Sequence, residues 1–164
     1  MIKKIKASMS EKIIFFFLIS LAIFSLSSFF LIKNKCLFVK NYNPEKLSFD
    51  KPNNIAILNV ECGNVIIELY PNISPNSVER FKTLVRSKAY DDVAFHRVIK
   101  DNLVQAGDLE FGKKGNIDYG KIGTGQSGLG TINSEVDVPF NYERGSVGLA
   151  RTQKYNTEDS QFFI

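Results

Sequence analysis

Histidine and cysteine are scarce in this sequence. It contains one histidine, His96, two cysteines, Cys36 and Cys62, and no tryptophan. Zinc sites need several cysteine or histidine ligands at short spacings, which this chain lacks, so we expect neither a metal nor another cofactor. Two cysteines also make no disulfide framework, and we interpret both as free thiols. Cys36 follows an apolar run, but no small residue typical of a lipidation signal precedes it.

A basic surface is missing from most of the chain, although the formal net charge is +4. Residues 1–54 hold nine lysines against three acidic residues, a balance of +6. Residues 55–164 hold twelve lysines and arginines against fourteen acidic residues, a balance of −2. Domains that bind nucleic acid usually carry a clustered basic patch. We therefore expect no nucleic-acid partner.

Residues 13–32 are an apolar run without a charged side chain. Twenty helical residues extend about 30 Å, the thickness of a bilayer core. The run predicts a transmembrane anchor in the lipid bilayer, between a basic tail (1–12) and a linker (33–54). A signal peptide cleaved near residues 25–27 is the alternative, but the apolar residues beyond that point favour an uncleaved anchor. A basic tail before a first span usually stays in the cytoplasm, which predicts a periplasmic or extracytoplasmic domain.

Residues 55–164 predict one mainly β domain. Two runs rich in β-branched residues, 55–60 and 65–69, flank a turn and predict a hairpin. Ser74 and Pro75 predict the N-cap and first position of an amphipathic helix over residues 74–87. Four residues form its expected core stripe: Val78, Phe81, Leu84 and Val85. Four others are expected to face solvent: Glu79, Arg80, Lys82 and Arg86.

Two further strands are predicted at 95–99 and 103–106. Alternation places Phe95, Arg97 and Ile99 on one face of the first of these strands. An arginine there has a simple structural explanation, an edge strand or a salt bridge. The segment 123–128 has the spacing Gly-x-Gly-x-x-Gly, but no strand precedes it and no helix follows. It therefore predicts a loop and not a dinucleotide site.

Three ordered segments together resemble the cyclophilin family of peptidyl-prolyl isomerases. They are Phe-His-Arg-Val-Ile at 95–99, Gln105 eight residues after Arg97, and Ser-Gln-Phe-Phe-Ile at 160–164. The resemblance spans about residues 55–164 and implies an antiparallel barrel with one amphipathic helix, incomplete at the C-terminus because the family's closing strands are not in this sequence. It also implies that the partners are proline-containing peptides or unfolded proteins.

The resemblance also implies residue roles. Arg97 would be the catalytic donor and Gln105 its partner. Residues that would bind the substrate are Phe95, Leu103, Leu149, Ala150, Arg151, Gln161 and Phe163. His96 lies on the opposite strand face and is expected to be structural. The expected function is isomerisation of X–Pro bonds, assisting the folding of exported proteins.

Two departures from the family keep a second hypothesis open. Asn102 stands where the family usually has a pocket phenylalanine, although a shift of one residue would place Leu103 there. The segments that supply the remaining pocket residues are absent. The alternative is a non-catalytic or poorly folded remnant, at most a membrane-tethered peptide-binding module. A generic membrane-bound β domain would require the ordered motif matches to be coincidental.

Overall fold

The computed structural model describes residues 8–34, 36, 39–40, 42–137 and 140–164. The chain divides into two compact units. One comprises Met1–Leu47 and Leu58–Val65, and the other comprises Ser48–Ile57 and Ile66–Ile164. Two short 3-10 helices, Pro44–Lys46 and Pro52–Asn54, interrupt the segment that the sequence predicts as a linker.

Helix α1, Met9–Lys33, contains the whole predicted anchor. A capping box begins it: the N–H of Glu11 donates to the Ser8 hydroxyl at 3.3 Å, and the N–H of Ser8 donates to the Glu11 carboxylate at 2.6 Å. No residue of the helix is buried, and its length and composition fit a membrane span. A signal sequence near the N-terminus would share these features.

Strands β1, Ile55–Val60, and β2, Gly63–Glu68, form the predicted hairpin, with a turn two residues shorter than expected. At its tip, Cys62 forms a disulfide with Cys36. The expectation of free thiols is therefore wrong. The disulfide leaves no thiol at Cys36 for lipidation. The sequence could not show this pairing because 26 residues separate the two cysteines and folding alone brings them together.

Reduction of the Cys36–Cys62 disulfide is expected to lower the free energy of unfolding of the segment it closes. In the chain-entropy description, a disulfide that closes a loop of this length raises the free energy of the unfolded chain by about 3 kcal/mol. Urea unfolding of the full-length chain with and without reductant measures this loss. Alkylation of the unfolded chain with and without prior reduction, followed by mass spectrometry, shows whether the bond is present. Two thiols that react without reductant would contradict it, and a Cys36→Ser, Cys62→Ser variant controls for other effects of the reductant.

Helix α2, Pro75–Arg86, matches the predicted amphipathic helix. Its buried face is narrower than predicted, because Val78, Phe81 and Leu84 are buried while Val85 is 40% exposed. The Ser74 side chain makes no capping hydrogen bond. The first turn is capped instead by Glu135, whose carboxylate accepts from the N–H groups of Asn76 and Ser77 at 2.8 and 2.9 Å.

The prediction that Arg80 of α2 faces solvent is wrong. Its side chain is 11% exposed and forms an ion pair with Asp159, which is also buried. The guanidinium also donates to the carbonyl of Gly130 at 2.6 Å. The helical period predicts Arg80 on the solvent side because charged residues normally lie there. In the structure, the buried carboxylate of Asp159, 79 residues away along the chain, forms an ion pair with the guanidinium beneath the surface.

Four short strands form an antiparallel sheet in the order β3-β4-β6-β5. They are β3 (Arg97–Ile99), β4 (Leu103–Ala106), β5 (Gly148–Leu149) and β6 (Phe162–Phe163). Strand β4 begins and ends as predicted, whereas β3 is two residues shorter than predicted. The described strands form this sheet and the hairpin, and they do not close a barrel.

One face of the four-stranded sheet packs on α2 through aromatic rings. The rings of Phe81, Tyr90 and Phe162 lie with centroids 5.3 to 5.5 Å apart. The Tyr90 hydroxyl donates to the Ser160 carbonyl at 2.7 Å, and burial raises the pKa of Tyr90. Since Phe162 faces this core, its neighbours along the chain face the other side of the sheet.

Candidate active site

One row of residues crosses all four strands of the sheet. Arg97 of β3 lies opposite Gln105 of β4, Gln105 lies opposite Phe163 of β6, and Phe163 lies opposite Gly148 of β5. Directly opposed residues of antiparallel strands share a face. Arg97, Gln105 and Phe163 therefore lie together on the side of the sheet away from Phe162, which we call the site face.

Three other predicted residues join the site face. Leu103 precedes Gln105 by two residues and Gln161 precedes Phe163 by two, so alternation places both there. The N–H of Ala150 donates to the Gln161 carbonyl at 2.7 Å, which places Ala150 beside Gln161. The strand pairing therefore brings together most of the site residues that the family resemblance implies.

The other three predicted site residues do not join this group in the same way. Leu149 lies opposite Phe162 and so falls on the core face. Phe95 stands two residues before Arg97, outside β3, and is 36% exposed, so its place on the site face stays a prediction. The side chain of Arg151 is held within its own loop, 4.8 Å above the Tyr155 ring and 3.7 Å from the Glu158 carboxylate. The structure does not bring the side chains of Leu149 and Arg151 to the row around Arg97.

The guanidinium of Arg97 is exposed and donates to Gln105 Oε1 at 3.3 Å. Among the described residues it forms no ion pair, so the salt bridge considered from the sequence has no carboxylate to support it. The other structural explanation, an edge strand, agrees with the position of β3 at the edge of the described sheet. An arginine that is always charged and exposed on a sheet face is available to a ligand.

Gln161 connects this arginine to a glycine-rich loop. Its Nε2 donates to the carbonyls of Gly123 and Gly125 at 3.0 and 2.9 Å, and its Oε1 accepts from Gln105 Nε2 at 2.9 Å. The loop is the one predicted from the Gly-x-Gly-x-x-Gly spacing, and Gly123 and Gly128 have the positive φ that favours glycine.

Behind the loop lies Asp108, which is 0% exposed. Burial alone would raise the pKa of this carboxyl, but four backbone N–H donors together hold its pKa below the usual value. The donors belong to Glu110, Phe111, Gly123 and Gly125, at 2.7 to 3.1 Å. The group is therefore a buried, charged and fully hydrogen-bonded carboxylate.

His96 lies beside the same loop, and neither of its buried ring nitrogens has a hydrogen-bond partner among the described residues. Burial lowers the pKa of His96, and the nearby Asp108 carboxylate opposes that shift only in part. The imidazole is therefore neutral in the folded protein near pH 7. The structural role expected of His96 from the sequence stays a prediction.

The free energy of unfolding is expected to fall as the pH drops below about 6.5, the pKa of histidine in an unfolded chain. In that range the unfolded state binds a proton that folded His96 does not, so acid favours unfolding. Urea unfolding between pH 5.5 and 7.5 measures the slope. His96→Phe is the control and should remove this part of the slope. An unchanged slope in that variant would assign the pH dependence to another group.

Two residues of the site have no predicted role from the sequence. Asp108 stands within the segment that resembles the family but carries no motif of its own. Tyr142 packs its ring 5.2 Å from that of Phe163, although it is 21 residues away along the chain. Gly148 makes room for this contact, since a Cβ at that position would collide with both rings. Only the folded structure reveals either role.

The sequence profile described as cyclophilin type peptidyl-prolyl cis-trans isomerase/CLD matches residues 55–164. The chain therefore belongs to the cyclophilin-type peptidyl-prolyl cis-trans isomerase family. A relative from Brucella suis biovar 1 (strain 1330), named "Probable peptidyl-prolyl cis-trans isomerase", is 45% identical over 116 residues. The match covers 69% of this chain and 58% of the relative, so the chain spans well under two thirds of that protein.

Solved structures agree on the fold. A Cryptosporidium parvum cyclophilin-type isomerase, crystallised in the presence of the dipeptide Ala-Pro, superposes with a TM-score of 0.52 at 28% identity. That match covers 62% of this chain and 61% of the other. A cyclophilin from Hirschia baltica superposes with a TM-score of 0.51 at 22% identity, covering 76% of this chain and 64% of the other, and supports the fold alone.

Proposed function

We propose that this chain catalyses cis–trans isomerisation of X–Pro bonds in peptides or unfolded proteins. The observation that carries the proposal is the row of Arg97, Gln105 and Phe163 across the sheet. It combines a charged donor, an amide and an aromatic ring on one exposed face. These are the groups that the family resemblance implies, and the cyclophilin crystallised with Ala-Pro supports a proline-containing substrate.

The reaction needs no acid, base or nucleophile. Rotation about an amide faces a barrier of roughly 18–20 kcal/mol because resonance must be broken. As the bond twists, the lone pair of the prolyl nitrogen localises, and a donor aimed at it stabilises the twisted state more than the planar one. Arg97 supplies such a donor at any physiological pH, since its guanidinium remains charged.

The neighbours of Arg97 would hold the peptide. Gln105 contacts the guanidinium and can bind a substrate carbonyl or N–H. Leu103 and Phe163 offer an apolar surface for the proline ring, and Ala150 borders it. Arg151 would contribute through its backbone, since its side chain is bound to its own loop. Leu149, on the core face, would support the strand and not touch the ring.

A protease-coupled assay of proline isomerisation on the detergent-solubilised full-length chain tests the proposal. The expected result is a rate that rises linearly with protein concentration above the uncatalysed rate. A rate equal to the uncatalysed one at micromolar protein, with a folded chain shown by circular dichroism, would exclude the enzymatic function.

Peptide binding without catalysis is the second candidate function. It is favoured by Asn102, which is exposed in the turn before β4 and provides no aromatic wall. The wall at Phe163 is instead extended by Tyr142. Binding of a fluorescent proline-containing peptide, measured by anisotropy beside the coupled assay, separates the two functions. Saturable binding with no rate enhancement would identify a binding module.

We further propose that the chain is a single-pass membrane protein with its N-terminus in the cytoplasm and its domain outside, where it assists exported proteins. Helix α1 supports the span through its length, composition and exposed apolar surface. The Cys36–Cys62 disulfide supports the side, because disulfides persist mainly in oxidising compartments.

The full-length chain is expected to remain in the membrane pellet after extraction with alkaline carbonate. A helix of this length and composition is held by the bilayer core, whereas carbonate releases proteins bound by charge. Immunoblotting of pellet and supernatant measures the outcome. A shortened product in the supernatant would show cleavage near residues 25–27 and support the signal-peptide alternative.

A further inference from the structure

The buried carboxylate of Asp108 lies at the end of an unbroken hydrogen-bond chain that reaches Arg97. The N–H groups of Gly123 and Gly125 donate to Asp108 Oδ2 at 2.7 and 2.9 Å. The carbonyls of the same two glycines accept from Gln161 on their other side. The loop is thus held between a carboxylate and an amide: Gly123 and Gly125 each donate their N–H to Asp108 and accept from Gln161 at their carbonyl.

The order of donors and acceptors fixes the direction of both glutamine amides. Carbonyls only accept, so Gln161 must turn its nitrogen to the loop and its oxygen to Gln105. Gln105 must then present its nitrogen to Gln161 and its oxygen to Arg97, which only donates. Reversing either amide would place two acceptors or two donors face to face.

The carboxylate is matched to this loop by the residues around it. A Cβ at Gly125 would collide with Asp108, so only glycine allows the approach. An ionised carboxylate accepts hydrogen bonds and donates none, which suits the four N–H groups that face it. An asparagine of the same shape would turn an N–H₂ group toward some of these donors.

We propose that Asp108 is a positioning residue for the proposed isomerase: through Gly123 and Gly125 it sets the direction of the Gln161 and Gln105 amides and so holds the guanidinium of Arg97 on the site face. This inference rests on the proposed function. Asp108 touches no reacting atom and acts only through the residues between it and Arg97.

Asp108→Asn is expected to lower kcat about tenfold to a hundredfold, the effect of misplacing a catalytic group by about 1 Å, with little change in KM. Asp118→Asn is the matched control. Asp118 lies in the same glycine-rich region, has a side chain that is 43% exposed, and accepts the N–H of Gly120 at 2.9 Å, but it is not among the hydrogen-bond partners of Gln161. The kcat of the Asp118→Asn variant should equal that of the unaltered chain.

The relation to Arg97 separates positioning from a general loss of structure. If Asp108 acts through the guanidinium, Asp108→Asn should change kcat by less than twofold in an Arg97→Ala background. If Asp108 only stabilises the fold, its replacement should reduce activity in proportion to the unfolded fraction and equally in both backgrounds. That second result would overturn the proposal.

A measurement on the unaltered full-length chain serves if Asp108→Asn does not fold. Hydrogen exchange of the Gln161 side-chain amide, followed by NMR, should be slowed to the rate of the Gly123 and Gly125 backbone amides, since the three open together. Exchange of that side chain at the rate of free glutamine, with both glycine amides protected, would overturn the proposal. This readout needs no activity, so it is decisive even if the chain proves inactive and the proposed function fails.

Discussion

Replacing Arg97 with alanine is expected to slow prolyl isomerisation about a hundredfold to a thousandfold while leaving the free energy of unfolding within about 0.5 kcal/mol of the original. The loss of a donor that acts only in the transition state costs about 2.7–4 kcal/mol in similar sites. Stability should hardly change, because Arg97 is exposed and the side-chain hydrogen bond that it makes among the described residues, to Gln105, is long. The coupled assay and urea unfolding on one variant measure both quantities.

The expected change should lie in kcat and not in peptide affinity, since the planar substrate gains little from the donor. Arg86→Ala is the matched control, because Arg86 is an exposed arginine in the last turn of α2. That variant should retain the full rate. Unchanged activity in Arg97→Ala would remove Arg97 from the mechanism and leave peptide binding as the better account of the row.

Replacing Arg80 with alanine is expected to lower the free energy of unfolding by about 3–5 kcal/mol. The change leaves the Asp159 carboxylate buried without its cation, and such an uncompensated charge is strongly destabilising. Two hydrogen bonds from Ser127, its N–H and its hydroxyl, each at 2.5 Å, offset only part of that cost. Urea unfolding followed by circular dichroism measures the loss.

A second substitution shows whether the cost comes from the unpaired charge. Arg80→Met combined with Asp159→Leu removes both charges and keeps similar volumes, so this double variant should be more stable than Arg80→Ala. If Arg80→Ala costs less than about 1 kcal/mol, the pair is screened by solvent in the manner of a surface ion pair.

Local patterns in the sequence predict the strand and the helix on which the fold around the site is built. Strand β4 was bounded correctly because its apolar run lies between polar turns, and α2 because a Ser-Pro start and a helical stripe agree. The row itself came from the family resemblance, which supplied Arg97, Gln105 and Phe163 together. No periodicity would have placed residues of three separate strands side by side.

Interactions across long stretches of chain explain what the pattern missed. Arg80 was assigned to solvent because its partner Asp159 is 79 residues away. The family resemblance implies a place for Leu149 in the site, but its register with Phe162 turns it to the core. The sequence predicts no role for Asp108 because its hydrogen-bond donors are backbone N–H groups. Every residue except proline has such a group, so no motif reveals them.

The Cys36–Cys62 disulfide makes a closed covalent ring of residues 36–62. A single proteolytic cut inside this ring breaks the backbone but does not separate the two halves, which stay joined through sulfur. A cut before residue 36, by contrast, detaches everything that follows from helix α1. Trypsin fragments that separate on a gel only after reduction would therefore report cuts within the ring. After such a cut, the residues that follow the ring would stay covalently attached to α1.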